Sequence, residues 1–190
     1  MTRLTKQRIA LMAAPVGMQP GGYIARAYAG MDHPHTPFVD LSVDRKDGWR
    51  IELRWPCPEP VQDAGGNPAR FVDGCAVMTG EVRDAPWMTM GAPGQGVAGL
   101  VWHADQGEIA PFRAEGLSTV ETTSWEGTRD VDARWKDGFW HVVLELSHWP
   151  QLDTVRQLGL AVWRGAEGER GGLKAVSREW IRIPEDVRGR

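Results

Sequence analysis

The segment from Asp130 to Leu146 constrains the fold more than any other. Apolar side chains stand at Val131, Ala133 and Trp135, then at Trp140, Val142, Leu144 and Leu146, with Lys136-Asp137-Gly138 between the two runs. A spacing of two puts each run on one face of a strand. Asp-Gly supplies the backbone that a tight hairpin needs. The segment predicts an antiparallel β-hairpin with one apolar face. The same arrangement occurs earlier, where Phe38, Leu41 and Val43 lead through Lys46-Asp47-Gly48 into Trp49, Ile51, Leu53 and Trp55.

The other segments are shorter variations on this theme. Residues 56–68 are rich in Pro and Gly and read as a loop, after which apolar runs at 71–79 and 97–103 predict strands separated by a break at 84–96. Residues 149–158 could hold a helical turn, and strands are expected at 160–163 and 176–183. Before all of these, Pro15, Gly17, Pro20, Gly21, Gly22, Pro34 and Pro37 punctuate the chain. Residues 1–37 therefore read as an extended arm with one short strand around Tyr23–Tyr28, and residues 38–190 as the folded domain. Many short strands without a fixed repeat predict an all-β fold, an antiparallel β-sandwich with long loops and few short helices.

A chain of 190 residues with 42% hydrophobic content is enough for one substantial core. Its 22 Lys and Arg are interspersed with 25 Asp and Glu, for a formal charge of −3. No basic stripe exists to grip a phosphate backbone, so nucleic acid is a poor partner. Pro15 and Pro20 interrupt the only apolar run near the start, which reads as mature protein rather than a signal peptide. No run has the length to cross a bilayer as a transmembrane segment. Cys57 and Cys75 lack Cys-x-x-Cys spacing, which argues against a cysteine-bound zinc or iron–sulfur cluster within this chain. They form either one disulfide or two buried thiols. Ten tryptophans stand against 2 Tyr and 4 Phe, and such rings fill a core or wall a flat apolar ligand.

Enzyme templates are missing. There is no Gly-x-Ser-x-Gly, dinucleotide fingerprint, phosphate loop or His-Glu-x-x-His. His33 and His35 form a His-x-His pair in a proline-flanked loop, without a further clustered ligand. His103, His141 and His148 are scattered over strands and their ends. Two stretches, residues 70–105 and 171–183, are harder to explain as generic sandwich. They contain Phe-x-Asp-x-x-Ala (Phe71, Asp73, Ala76), Met90-Gly91 after a proline-containing loop, Trp-x-Ala-Asp (Trp102 to Asp105) and Lys-x-Val-Ser-x-x-Trp (Lys174, Val176, Ser177, Trp180).

In order and spacing these motifs resemble the heme b, or gamma, subunit of the type II branch of dimethyl sulfoxide reductase family molybdoenzymes. That group includes ethylbenzene dehydrogenase, dimethyl sulfide dehydrogenase, chlorate reductase, selenate reductase and steroid side-chain dehydrogenases. The resemblance implies a non-catalytic electron-transfer subunit, a cytochrome b carrying one heme b. Its iron would be held by the residues matching the family's methionine and lysine, Met90 and Lys174. Trp55, Trp102 and Trp180 are the candidate pocket walls. Met88 is the rival to Met90, and His103 the rival for the second axial position. The family pattern also leads one to expect an aromatic near Leu100. Implied partners are a catalytic molybdopterin alpha subunit and an iron–sulfur beta subunit in a heterotrimer, with a soluble carrier such as a cytochrome c. The molybdenum cofactor and iron–sulfur clusters would belong to those partners. The implied location is the periplasm, reached by co-export with a partner that carries a twin-arginine signal, or the cytoplasm if no export occurs. The other reading of the residues is a carbohydrate- or ligand-binding β-sandwich module that uses exposed tryptophans.

Overall fold

The Asp137-Gly138 turn has φ of 52° and 79° at its two residues, the left-handed pair of the commonest hairpin connection. It joins β8 (Arg129–Lys136) to β9 (Phe139–Leu146). These come from a computed structural model, which describes residues 5–15, 17, 22, 26 and 34–185. The second expected hairpin is also present, as β2 (Phe38–Arg45) and β3 (Trp49–Pro56). With β1 (Thr5–Ala13) the four strands form sheet I, in the order β1-β2-β3-β9-β8, every neighbour antiparallel.

Register sorts the side chains of sheet I into two faces. Val43, Ile51, Leu144 and Val131 lie opposite one another, as do Leu41, Leu53, Val142 and Ala133. The row between them is Ser42, Glu52, Val143 and Asp132, and the row beyond Leu41 is Asp40, Arg54, His141 and Arg134. The Val43 and Leu41 rows face the core, and the Asp40 row is on the opposite face, where Arg8 and Arg54 both reach Asp40. Exposed pairs of this kind contribute little to stability.

Sheet II contains β4 (Gly74–Gly80), β5 (Val97–His103), β6 (Ala110–Ala114), β7 (Glu121–Thr122), β10 (Gln157–Trp163) and β11 (Ala175–Ser177), with β12 (Ile181–Arg182) paired to one end of β10. A short helix, α1 (Pro150–Val155), precedes β10. One core cluster joins the inner faces of both sheets, with Trp49, Trp55, Leu53, Trp140 and Leu144 from sheet I and Cys75, Val77, Leu100, Trp102, Leu160 and Val162 from sheet II. The fold is an all-β sandwich of antiparallel strands.

Several elements differ from the sequence reading. β1 lies within the expected arm, yet it is paired on both sides. Its residues up to Ala10 pair with β2, and Leu11, Met12 and Ala13 pair with Ser177, Val176 and Ala175 of β11. It therefore passes from one sheet to the other. The strand expected at 176–183 is two strands, β11 and β12. Most of the expected strand at Tyr23–Tyr28 falls outside the described residues. Both cysteines are free buried thiols. Burial raises the pKa of each, in the case of Cys57 to about 12, with the neighbouring Asp73 charge adding to the effect.

Asp73 ties the sheets and loops together. It is fully buried and its carboxylate accepts hydrogen bonds from the Val61 N–H at 2.9 Å, the Gly165 N–H at 2.8 Å and the Trp140 indole N–H at 2.8 Å. The Cys57 thiol lies 3.4 Å from the same oxygen as Val61 and Trp140. A buried donor left unpaired costs about 1–3 kcal/mol. Asp73→Ala is expected to lower the unfolding free energy by roughly 3 kcal/mol or more, measured by urea denaturation, because it strands several donors at once. Asp132→Ala, at an exposed carboxylate, is expected to stay within about 0.5 kcal/mol of the parent.

Candidate functional site

The outer face of sheet II is also apolar. Across five strands, Val176, Ala161, Ala76, Val101 and Ala110 lie in one row. At a strand spacing of about 4.8 Å that row spans roughly 19 Å. The next row runs Gly159, Met78, Gly99 and Phe112, and the row on the other side runs Trp163, Gly74 and His103. The middle row is small or β-branched throughout, so the sheet offers a nearly flat floor. Above it lies a cavity of about 590 Å³, within the usual range for small-molecule and cofactor sites of about 300–1,000 Å³.

Loops close the cavity from two ends. At one end, residues 81–96 bring Trp87, Met88 and Met90 over the floor. A side chain at Gly159 would place its Cβ 2.5 Å from Cζ3 of Trp87. The missing side chain lets the indole lie down on β10. Met90 has φ of 56°, a left-handed conformation that is uncommon for a residue with a side chain. Three hydrogen bonds hold it there: its N–H to Trp87 O, its carbonyl from Gly116 N–H, and the Gly91 N–H to Pro86 O. Gly91 has φ of 89°, and a Cβ there would meet Gln95 O at 2.8 Å. That explains why glycine follows the methionine.

At the other end, a turn at Gly165–Glu167 and the chain that follows it contribute Glu169, Arg170, Gly171, Gly172 and Lys174. Lys174 directly precedes β11. Strand alternation puts it on the face of Val176, and its carbonyl accepts from Ala14 N–H. Its ammonium lies 5.0 Å from the centroid of Trp163. Burial pushes its pKa down to about 8. His103 stands over Gly74 with its ring 6.0 Å from Trp163. Burial lowers its pKa against the opposing pull of Asp105. Glu169 is driven the other way: burial raises its pKa to about 7, although the Arg164 N–H donates to it.

Met90, Lys174, Met88 and His103 thus all line one cavity. The tryptophans divide differently from expectation. Trp55 and Trp102 are not pocket walls. They are buried in the inner core, where Trp140 packs against both with centroids 6.4 and 5.1 Å away. The reason is strand parity, since Trp55 shares its face with Ile51 and Leu53, and Trp102 shares its face with Leu100. Leu100 itself faces that core, so an aromatic there would not reach the cavity. Trp180 stands one layer back. Its indole donates to Ala85 O at 2.8 Å and its ring supports Trp87 at 5.7 Å. The walls are Trp87, Trp163, Phe71 and Phe112, of which only Phe71 stands in a motif visible in the sequence. Unbroken apolar character through β4 and β10 was the available signal, because it marks strands covered on both faces.

His33 lies outside the described residues, and among those described no cluster of three or more His, Cys, Asp or Glu side chains could hold a metal ion. No described helix is long and apolar enough to cross a membrane.

No protein-family model matches the chain. Among characterised proteins it is 35% identical over 125 residues to the chlorate reductase gamma subunit of Ideonella dechloratans, covering 60% of this chain and 51% of that one. It is 26% identical over 164 residues to the dimethylsulfide dehydrogenase gamma subunit of Rhodovulum sulfidophilum, covering 79% and 61%. It is 32% identical over 145 residues to a putative respiratory nitrate reductase heme subunit of Haloferax mediterranei, covering 70% and 50%. The chain is a homologue of these gamma and heme subunits. It spans about half to three-fifths of the length of the relatives it matches.

The motifs that carry the resemblance have distinct structural duties. Asp73 ties loops together, Gly91 permits the turn at Met90, and Ala104, two residues past Trp102, donates its N–H to Asp73 O. Ser177 lies opposite Leu11 of β1 and its hydroxyl accepts the Leu160 N–H.

Two outcomes are expected. Gly159→Ala should cost about 1–3 kcal/mol in chemical denaturation, because the added methyl displaces Trp87, and should change the tryptophan emission. Between about pH 4.5 and 7 the folded ligand-free chain retains a proton on Glu169 that the unfolded chain has lost. Its stability should therefore fall as pH rises through that interval. Glu169→Gln should remove this part of the pH dependence in melts recorded across it.

Proposed function

We propose that the cavity holds one b-type heme, with Met90 and Lys174 as its axial ligands, and that the chain relays electrons between an iron–sulfur partner and an external carrier. One observation carries this reading: two residues far apart in sequence, a thioether and a partly buried amine, line opposite ends of a single flat-floored apolar cavity. Homology to gamma and heme subunits of reductases and a dehydrogenase supports it.

The residues present fit such a group. Ala161, Ala76 and Ala110 leave the middle of the sheet with only methyl side chains where a planar macrocycle would lie, and Trp87, Trp163 and Phe112 supply aromatic walls. A thioether is a soft ligand that favours the reduced metal. An amine binds only when neutral, and burial lowers the proton affinity of Lys174 toward that form. A heme held by two protein ligands supplies a one-electron couple without an open coordination position.

The chain's own contribution is positional. Backbone hydrogen bonds fix Met90 in its left-handed turn, and the pairing of β1 with β11 fixes the strand next to Lys174. Trp87, Trp163 and Phe112 make the walls between them largely apolar. The sugar-binding reading would need a platform of exposed rings, and among the described tryptophans Trp135, at 36%, is the single exposed one.

The test is an absorption spectrum of the full chain, expressed with heme supplied and its cognate subunits present, before and after dithionite. A Soret band with low-spin features is expected, and its absence overturns the reading. Met90→Ala and Lys174→Ala should each reduce heme retention at least about tenfold, since loss of even an outer partner weakens metal sites by that much. Loss of the methionine should also lower the midpoint potential. Unchanged spectra in both variants would move the ligands elsewhere, with His103 and Met88 the next to test.

A further inference from the structure

Glu169 has a setting that the ligand assignment does not explain. It is 3% exposed and lines the cavity, at the end that also carries Lys174. Its Oε2 accepts the Arg164 N–H at 2.7 Å, and its own N–H donates to Arg164 O, closing a tight ring of backbone around the carboxyl group. That ring is anchored from both sides: Gly165 N–H donates to Asp73, and the Trp163 indole donates to Gly171 O. The other oxygen, Oε1, is buried without a hydrogen-bond partner. An anionic carboxylate with one oxygen stranded in an apolar wall costs much more than the protonated acid does there.

The surrounding charges do not relieve this. Arg164 acts on Glu169 favourably, but its guanidinium is turned to Glu167 Oε1 at 3.3 Å and to His35 O at 3.4 Å. Glu167 and Asp73 both oppose ionisation of Glu169, and His35 is engaged with Glu167 at 3.5 Å. From the cavity itself, Arg170, Lys174 and His103 share the lining. The carboxyl is therefore poised between its two forms by burial, with a small change in nearby charge able to decide the balance.

We propose that Glu169 is the redox-linked proton acceptor of this site: when one electron enters the cofactor bound in the cavity, the Glu169 carboxylate takes up one proton at Oε1. The balance is one electron from an iron–sulfur or other one-electron donor and one proton from solvent, giving the reduced cofactor and a neutral carboxylic acid. Reoxidation by the acceptor releases both. The net charge of the buried region is then the same in the two redox states, which avoids adding an uncompensated charge to an apolar wall. This inference rests on the heme reading of the same cavity.

The experiment is a spectroelectrochemical titration of the heme in the full-length chain at a series of pH values around neutrality. In the parent, the reduction equilibrium constant should fall as pH rises, by up to about tenfold per pH unit at its steepest, the limit for one proton per electron. Glu169→Gln keeps the shape and hydrogen-bonding of the neutral acid and should be nearly flat, changing by less than about twofold per unit. A heme-loaded parent whose potential ignores pH overturns the inference, as does an unaltered slope in Glu169→Gln. A chain that binds no heme overturns the underlying reading instead. If Glu169→Gln does not fold, redox-difference infrared spectroscopy of the parent decides. Gain of a protonated-carboxyl C=O band on reduction supports the assignment, and no such band overturns it.

Discussion

Sheet II is apolar on both faces, and an antiparallel sheet built that way must be covered twice. β4 carries the constraint most plainly, since every residue from Gly74 to Gly80 is buried. Sheet I covers one face completely, with rows of Leu, Ile, Val and Trp matched in register. The second cover is made of loops: residues 81–96 with Trp87 and Met90, residues 115–120, and the chain from Arg164 to Lys174. Loops carry polar backbone that must be satisfied locally, and they do not tile a flat sheet as another sheet does. What they leave open is the cavity. The site is thus a shortfall in the outer core, lined by the same kinds of side chain that fill the inner one.

That arrangement also explains why the structural and functional parts of the chain cannot be separated cleanly. Asp73 lies at the start of β4, between the two cores. Through the Trp140 indole it holds sheet I, and through Gly165 N–H it holds the loop that leads to Glu169 and Lys174. At the far end, Arg113 pairs with Glu81 through two hydrogen bonds of 2.6 and 2.8 Å, fastening the start of the methionine loop to β6. Both walls of the cavity are in this way fixed to strands rather than left to close over a ligand unaided. Preorganisation of that kind lowers the ordering cost of binding.

The hairpins were legible in the sequence because two independent signals agreed, period-two alternation and an Asp-Gly pair at the turn, although of the two turns only Asp137-Gly138 takes the positive-φ form. Val97–His103 was equally plain, bounded by loop residues on both sides. β1 was not, because Lys6 and Arg8 dilute its apolar pattern and its partners lie at residues 38–43 and 175–177. β6 was hidden by Pro111 and Arg113, and β7 is only two residues long. In the site, Met90 and Lys174 were found by family pattern and not by chemistry, since neither spacing nor composition sets a lone methionine or lysine apart. Strand parity decides the side of Trp55 and Trp102. Counting by twos along β3 from Ile51 and Leu53 places Trp55 inside, whereas the continuous apolar run of β5 does not mark which of its faces carries Trp102 inward. Glu169 could not have been found, because its character comes from a half-satisfied carboxyl in a tertiary setting that sequence does not display.

β1 belongs to both sheets, and this has a consequence for the order of events in the cell. Leu11 pairs with Ser177 and Ala13 with Ala175, so the strand beside Lys174 finds its neighbour near the opposite end of the chain. Such long-range pairing forms late, after most of the loop-closure entropy has been met. A ribosome that has emitted only the first hundred residues has exposed the methionine side of the cavity but neither β10 nor β11. The pocket therefore becomes complete only after synthesis has passed residue 177, and any cofactor must be loaded after β11 has joined β1 and β10.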